Sequence, residues 1–301
     1  MEARLGWIIV EMKGADTAGH QVPGPLLAEG TERLRAAGLD NPRREARLLM
    51  AHVLRTDLAG LLARQNVDMA ASRAFFDAVG RRAAHEPIAY ITGHAGFWSL
   101  DLETSPATLI PRPDSETLIE ALLHHRPDRA SVRSVLDLGT GTGCLLLAAL
   151  SEYDDAWGLG VDIAPDAARL AARNARRTGL GARCAMINGS WTSAIQDRFD
   201  VVFSNPPYIP HGDLPGLMPD VRDHEPPRAL DGGMDGLDAY RILTAALPSL
   251  LAHGGIAIFE IGIGQERDMP MLARQAGLEI LDVRADLGGI PRAVLMQNCR
   301  C

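Results

Sequence analysis

Apolar residues recur at helical spacing in the early part of the chain and gather into short β-branched runs later. Leu26–Ala37 predicts a helix that stops at Gly38, a residue free to take the positive φ of a helix end. Asn41-Pro42 predicts the start of a second, with Asn as cap and Pro in the first turn. Ala46, Leu49, Met50, Val53 and Leu54 then repeat along one face. Asp57–Gln65 and Met69–Ala84 follow, the latter aligning Phe75, Phe76 and Val79. Amphipathic helices joined by short connections make a small bundle, either a bundle and nothing more or a docking module for a macromolecular substrate. Glu86-Pro87 breaks the helical pattern. Tyr90–Leu109 alternates through Phe97, Trp98, Leu100 and Leu102, which predicts a β-hairpin linking two domains. A stiff turn, Pro111-Arg112-Pro113-Asp114-Ser115-Glu116, precedes a helix over Thr117–His125.

Beyond this point strands and helices alternate. The strands expected are Ser134–Leu138, Gly158–Ile163, Ala182–Ile187, Phe199–Ser204, Gly255–Ile261, Glu279–Ala285 and Arg292–Gln297. Helices are expected at Thr142–Glu152, Ala164–Thr178, Asp238–His253 and Gln265–Gly277. Apolar strands alternating with helices mean a doubly wound, largely parallel α/β sheet. The organisation expected is therefore an extension or disordered segment over 1–22, a helical docking domain over 23–85, a linker hairpin over 86–110 and a catalytic domain over 111–301.

Two stretches carry candidate chemistry. In Val135-Leu136-Asp137-Leu138-Gly139-Thr140-Gly141-Thr142-Gly143 a strand runs through glycines into a helix, so backbone can approach a ligand at a helix N-terminus. The dinucleotide spacing G-x-G-x-x-G is absent, because Cys144 stands where the third Gly belongs. Asp137, buried in the strand, would repel a pyrophosphate and suits a cationic ligand. Asp162 ends the second strand, where an acid grips ribose hydroxyls in adenosine-binding sheets. Together these features fit S-adenosylmethionine better than NAD. Trp191, in the loop after the third strand, is either a cover for the adenine or ordinary packing.

The second stretch is Asn205-Pro206-Pro207-Tyr208, closing the run Phe199–Ser204. Prolines have fixed φ and no N–H, so the loop is stiff and its carbonyls stay free as acceptors. The Asn205 amide oxygen and the Pro206 carbonyl, beside the Tyr208 ring, suit a planar group that carries an NH2.

Charge narrows the partners. The net charge of −8 is uneven: residues 23–85 hold ten Arg against seven Asp plus Glu, and residues 86–301 hold 18 basic against 28 acidic residues. An acidic catalytic half lacks the basic stripe that stable nucleic-acid binding needs. The nine His show no metal-ligand spacing, and the four Cys make no disulfide framework in a chain of 301 residues. No metal, no signal peptide and no membrane span are expected, which makes cytoplasmic the default.

With both sites in view, the chain resembles the release-factor glutamine N(5)-methyltransferases, the PrmC/HemK family. The resemblance runs from about residue 25 and rests on Glu86-Pro87-Ile88-Ala89-Tyr90-Ile91-Thr92-Gly93, the arginine-proline turn, the glycine turn and Ser204-Asn205-Pro206-Pro207-Tyr208-Ile209. Glu225-Pro226-Pro227-Arg228-Ala229-Leu230, Gly236-Leu237-Asp238-Ala239-Tyr240-Arg241 and Glu260-Ile261-Gly262 extend it. It implies a class I, Rossmann-like methyltransferase domain with a seven-stranded, mostly parallel sheet and an N-terminal helical bundle. It implies methylation of the glutamine of the Gly-Gly-Gln loop in class I peptide chain release factors; a monomer is expected. Roles then fall on Gly139, Thr140, Gly141, Thr142, Gly143, Asp162, Trp191 and Asn205 for S-adenosylmethionine. Asn205, Pro206, Pro207 and Tyr208 take the glutamine, with Asn205, Pro206 and Tyr208 catalytic. One departure stands out: Ser190 occupies a position where such enzymes often carry Asp. The rival reading is a methyltransferase of exocyclic amines on DNA or RNA bases, which would use the same acceptors on a flipped base.

Overall fold

A computed structural model describes residues 20–299 and divides the chain into two compact units that meet at Thr92–Gly93. The segment over residues 1–19 lies outside the described residues, as does Cys301. His20 and Gln21, expected to belong to an unstructured extension, form a short strand instead.

In the first unit β1 (His20–Gln21) precedes α1 (Pro23–Ala36), α2 (Pro42–Val53) and α3 (Leu58–Ala63). Then come β2 (Val67–Asp68), α4 (Met69–Ala83) and α5 (Ile88–Thr92). β1 and β2 pair antiparallel, Gln21 against Val67. Leu34, Leu49, Met50, Phe75 and Val79 are fully buried between the helices, the face that the helical spacing selects. Capping differs from the expectation at Asn41, whose side chain makes no capping bond. The working caps are Asp57 and Asp68, which accept from Gly60 N at 2.6 Å and Ala71 N at 2.7 Å. Arg82 of α4 reaches Glu45 of α2 at 2.8 Å with both side chains largely buried, an ion pair that ties the two helices together.

The predicted hairpin over Tyr90–Leu109 is corrected at its start, where the chain is helical through Thr92. Pro87 presets the first turn and its carbonyl accepts from Tyr90 N and Ile91 N, while Tyr90 and Ile91 are buried. Gly93, at φ 79°, ends the turn. The hairpin itself is shorter, β3 (His94–Phe97) against β4 (Leu100–Glu103), and falls in the second unit. Glu116 holds its tip by accepting from Trp98 N at 2.7 Å.

The second unit continues with α6 (Glu116–His125), β5 (Ser134–Leu138), α7 (Cys144–Glu152), β6 (Trp157–Asp162), α8 (Pro165–Arg177), β7 (Cys184–Asn188) and β8 (Phe199–Ser204). After these come α9 (Pro219–Arg222), α10 (Asp238–Leu250), β9 (Leu251–Glu260), α11 (Asp268–Gln275), β10 (Leu278–Ala285) and β11 (Pro291–Asn298). The seven strands from β5 onward form one sheet in the order β10-β11-β9-β8-β5-β6-β7, and β11 alone runs antiparallel to its neighbours. Leu118, Leu122 and Leu145–Leu150 cover one face of the sheet; Tyr240, Leu243 and Leu247 of α10 cover the other. From β5 the chain goes to β6 on one side and returns as β8 on the other. The β5–β8 edge is therefore the topological switch point, where open α/β sheets bind ligands. Among the described residues no helix is long and apolar enough to cross a membrane.

Candidate active site

The register of the two central strands places the site. Leu138 pairs with Ser204, so the next residues, Gly139 and Asn205, leave the sheet side by side at its C-terminal edge. Past β5, Gly139, Gly141 and Gly143 take φ of 79°, 55° and 84°. A left-handed backbone is strained for any residue with a Cβ. At Gly139 a Cβ would touch the Trp191 ring at 3.4 Å, an ordinary contact, so the positive φ is what calls for glycine there. The turn is held from below: Asp162, at the end of β6, accepts from Gly141 N at 2.9 Å and from Ala164 N at 2.8 Å.

Asp137 is almost fully buried beneath the turn. One carboxylate oxygen accepts from the Thr140 hydroxyl at 2.7 Å; the other has no hydrogen-bond partner among the described residues. Burial pushes its pKa up to about 7, with the Asp162 charge adding to the rise and the Thr140 bond opposing it. A buried acid with an unused acceptor beside a glycine turn matches a cationic group better than an anionic one.

A cavity of about 260 Å³ opens over this turn. Gly139, Gly141, Asp162, Trp191, Asn205 and Pro207 line it, together with Ile163 and Arg228. Thr140, Thr142 and Gly143 stand behind the turn: both threonines are buried, and Gly143 N donates to Thr140 O at 2.7 Å. Ser190 is exposed and takes no part in the lining. Trp191 itself has φ 48°, a strained value for a non-glycine residue, and its ring packs against the core on the α10 side of the sheet.

The diproline segment meets a second set of groups. Asn205 Nδ2 donates to Ser115 Oγ at 3.2 Å, and its Oδ1 accepts no hydrogen bond among the described residues. The Pro206 carbonyl is likewise without a donor there. Ser115 Oγ donates to Glu260 Oε2, and Tyr208 OH donates to Glu260 Oε1 at 3.1 Å. The Tyr240 hydroxyl donates to the Glu260 carbonyl at 2.8 Å. Tyr208 lines a neighbouring cavity of about 340 Å³ with Ile209, Pro210, Gly262, Gln265 and Arg292, rather than the one over the glycine turn. Gln265 Nε2 donates to the Tyr208 carbonyl at 3.0 Å and pins that loop.

The structure thus gathers Gly139, Gly141, Asp162, Trp191, Asn205 and Pro207 around one cavity and sets Tyr208 at its neighbour. Residues of the arginine-proline turn are engaged with the protein itself: Arg112 pairs with the buried Glu225, and Asp114 with Arg292 at 3.3 Å. Glu260, Gln265 and Tyr240 carry hydrogen bonds at the site although no spacing in the chain singled them out.

Comparison with known proteins gives the family. The PrmC N-terminal domain family matches residues 25–93, and the methyltransferase small domain family matches residues 113–215. A release factor glutamine methyltransferase of Rhodospirillum rubrum is 46% identical over 279 residues, 92% of this chain and 85% of that protein. One of Bradyrhizobium diazoefficiens is 43% identical over 268 residues, covering 87% and 90%. The crystal structure of a methyltransferase from Pyrococcus furiosus shares the fold at TM-score 0.50 and 17% identity, over 72% of this chain and 97% of that one. By its identity to these relatives over nearly their whole length, the chain belongs to the release factor glutamine methyltransferase family.

Proposed function

We propose that the protein methylates the side-chain amide nitrogen of the glutamine in the Gly-Gly-Gln loop of class I peptide chain release factors, in the cytoplasm, with S-adenosylmethionine as donor. The observation that carries this reading is the unclaimed acceptor Asn205 Oδ1 beside the glycine turn at the switch point, followed in the chain by the Pro206 carbonyl, which also lacks a donor.

The residues present fit the donor. Gly139 and Gly141 allow close approach, Asp162 reaches the cavity and Trp191 offers a flat apolar wall; Asp137, buried behind the turn and outside the lining, keeps one carboxylate oxygen unmatched. When bound, S-adenosylmethionine supplies an electrophilic methyl group on a cationic sulfur.

A carboxamide nitrogen is a poor nucleophile because its lone pair is delocalised into the C=O. Asn205 Oδ1 and the Pro206 carbonyl each accept one N–H, which fixes the nitrogen and stabilises positive charge that grows on it. Because both acceptors sit on a stiff strand end, little is lost in reorganisation. Positioning of this kind is worth up to about 7–11 kcal/mol in well-oriented systems. Tyr208 is fixed through its hydroxyl on Glu260 and stands at the neighbouring cavity. The nitrogen's proton becomes acidic only as the new bond forms, so no strong base has to act first.

The test is transfer of a labelled methyl group to purified release factor, with mass spectrometry of the Gly-Gly-Gln peptide. Label on that glutamine is expected; label on RNA or DNA instead would select the flipped-base reading. Asn205→Ala should lower kcat by about 10²-fold or more, the usual effect of removing one preorganised polar contact, with cofactor Kd little changed. An equal loss in both contradicts the role given to Asn205.

A further inference from the structure

We propose that Glu260 and Ser115 are positioning residues, which orient the Asn205 amide so that its oxygen, and not its NH2, faces the substrate. This rests on the reading of Asn205 as an acceptor. It adds the device that makes Asn205 one.

An Asn side chain presents an acceptor on one side and a donor on the other, and turning it over exchanges them. Only one orientation can receive the N–H of a glutamine amide; the other sets NH2 against NH2. The hydrogen-bond chain on the substrate's far side decides which is present. Glu260 is 2% exposed, and both its carboxylate oxygens are taken by hydroxyl donors, Ser115 on Oε2 and Tyr208 on Oε1. A carboxylate can only accept, so Ser115 must spend its single proton on Glu260. Its oxygen is then left to accept, and it accepts from Asn205 Nδ2 at 3.2 Å. That leaves Oδ1 for the cavity side, where no protein group claims it. Reversing the first link reverses the last: a protonated Glu260 can donate to Ser115, which frees the Ser115 proton to hold Asn205 by its oxygen.

The groups facing the carboxylate are Tyr208, Tyr240 of α10, Arg292 of β11, Asp114 before α6, and Cys144 of α7. Arg292 and Asp114 pair with each other at 3.3 Å. Burial pushes the Glu260 carboxyl above its ordinary range, with the Ser115 and Tyr208 bonds and Arg292 opposing. The ionised form is the productive one, so kcat should fall as pH drops through this raised value.

Two variants test the relay on the full-length enzyme with release factor at saturating cofactor, which keeps the Asp137 titration out of kcat. Ser115→Ala should lower kcat at least about tenfold, with cofactor Kd within about twofold. In an Asn205→Ala background it should cost nothing further, because Ser115 acts only through Asn205. Glu260→Gln offers one donor and one acceptor where two acceptors are needed, so it should lower kcat and abolish the acid limb. Additive losses for Ser115→Ala and Asn205→Ala overturn the relay while leaving the function standing, as does an acid limb that persists in Glu260→Gln. A fully active Asn205→Ala overturns the reading of the site, and the relay with it.

Discussion

Asp137 is the residue where the site works against the stability of the ligand-free protein. Its pKa rises from 3.8 to about 7 because burial disfavours the charged form. In the unfolded chain the same carboxyl is ionised above its ordinary value. Between those two values the native state holds the proton more tightly, so stability falls as pH rises and levels off above about 7. Asp137→Asn keeps the Thr140 hydrogen bond and removes the charge. It should therefore stabilise the ligand-free protein by a few kcal/mol at about pH 8 and leave it unchanged at about pH 4, as read by urea denaturation. S-adenosylmethionine should show the opposite preference and bind the variant more weakly by calorimetry. A variant equally stable at both pH values, relative to the parent, would remove the buried charge from the account. This residue was legible in the chain because a glycine turn follows it directly. Glu260 stood out only within the family-like segment Glu260-Ile261-Gly262; its bond to Ser115, 145 residues away, has no spacing signal.

At the scale of elements, packing overrides propensity at Gly30 in α1. Alanine is the better helix former by about 1 kcal/mol in a helix interior. A Cβ at Gly30, however, would stand 2.5 Å from Cζ of the fully buried Phe75 in α4. Overpacking of that kind typically costs about 1–3 kcal/mol, so the clash wins. Gly30→Ala should lower the thermal midpoint of the helical unit, and adding Phe75→Leu should recover part of the loss. A rise in the midpoint would show that propensity dominates. The same competition explains which boundaries were readable. Strand β8 and helix α8 follow their apolar periods closely. Helix α10 was expected to run to His253 but ends at Leu250, where Arg198 binds the Pro248 and Leu251 carbonyls and the chain turns extended to pair Leu251 with Phe199. Those contacts join distant segments, and no local pattern announces them. Helix α5 was missed for the related reason that Tyr90 and Ile91 fit an alternating pattern as well as a helical one.

Over the whole molecule, charge is uneven along the chain, net positive over residues 23–85 and net negative over 86–301. Within the helical unit the excess has a location. Arg43 and Arg44 are exposed in the first turn of α2, with Arg47 one turn on, and none of the three has an ion-pair partner among the described residues. Arg43 and Arg47 border a cavity of about 390 Å³ with Gly24, Leu27, Thr31 and the acidic Glu32. Cations at a helix N-terminus oppose the helix dipole, by about 0.3–1 kcal/mol each at exposed positions. The helix dipole gives no reason for them at this end, and charge reversal tests whether they meet the substrate protein. The charge-reversed pair Arg43→Glu with Arg47→Glu should fold at least as well, since acids suit this end of a helix. It should raise KM for intact release factor by about tenfold at low salt, with kcat unchanged and the difference shrinking as salt screens the contact. KM for an isolated Gly-Gly-Gln peptide should not move, because such a peptide occupies only the sheet unit's cavity. If peptide and intact protein respond alike, or neither responds, the cationic face of α2 has no part in substrate capture.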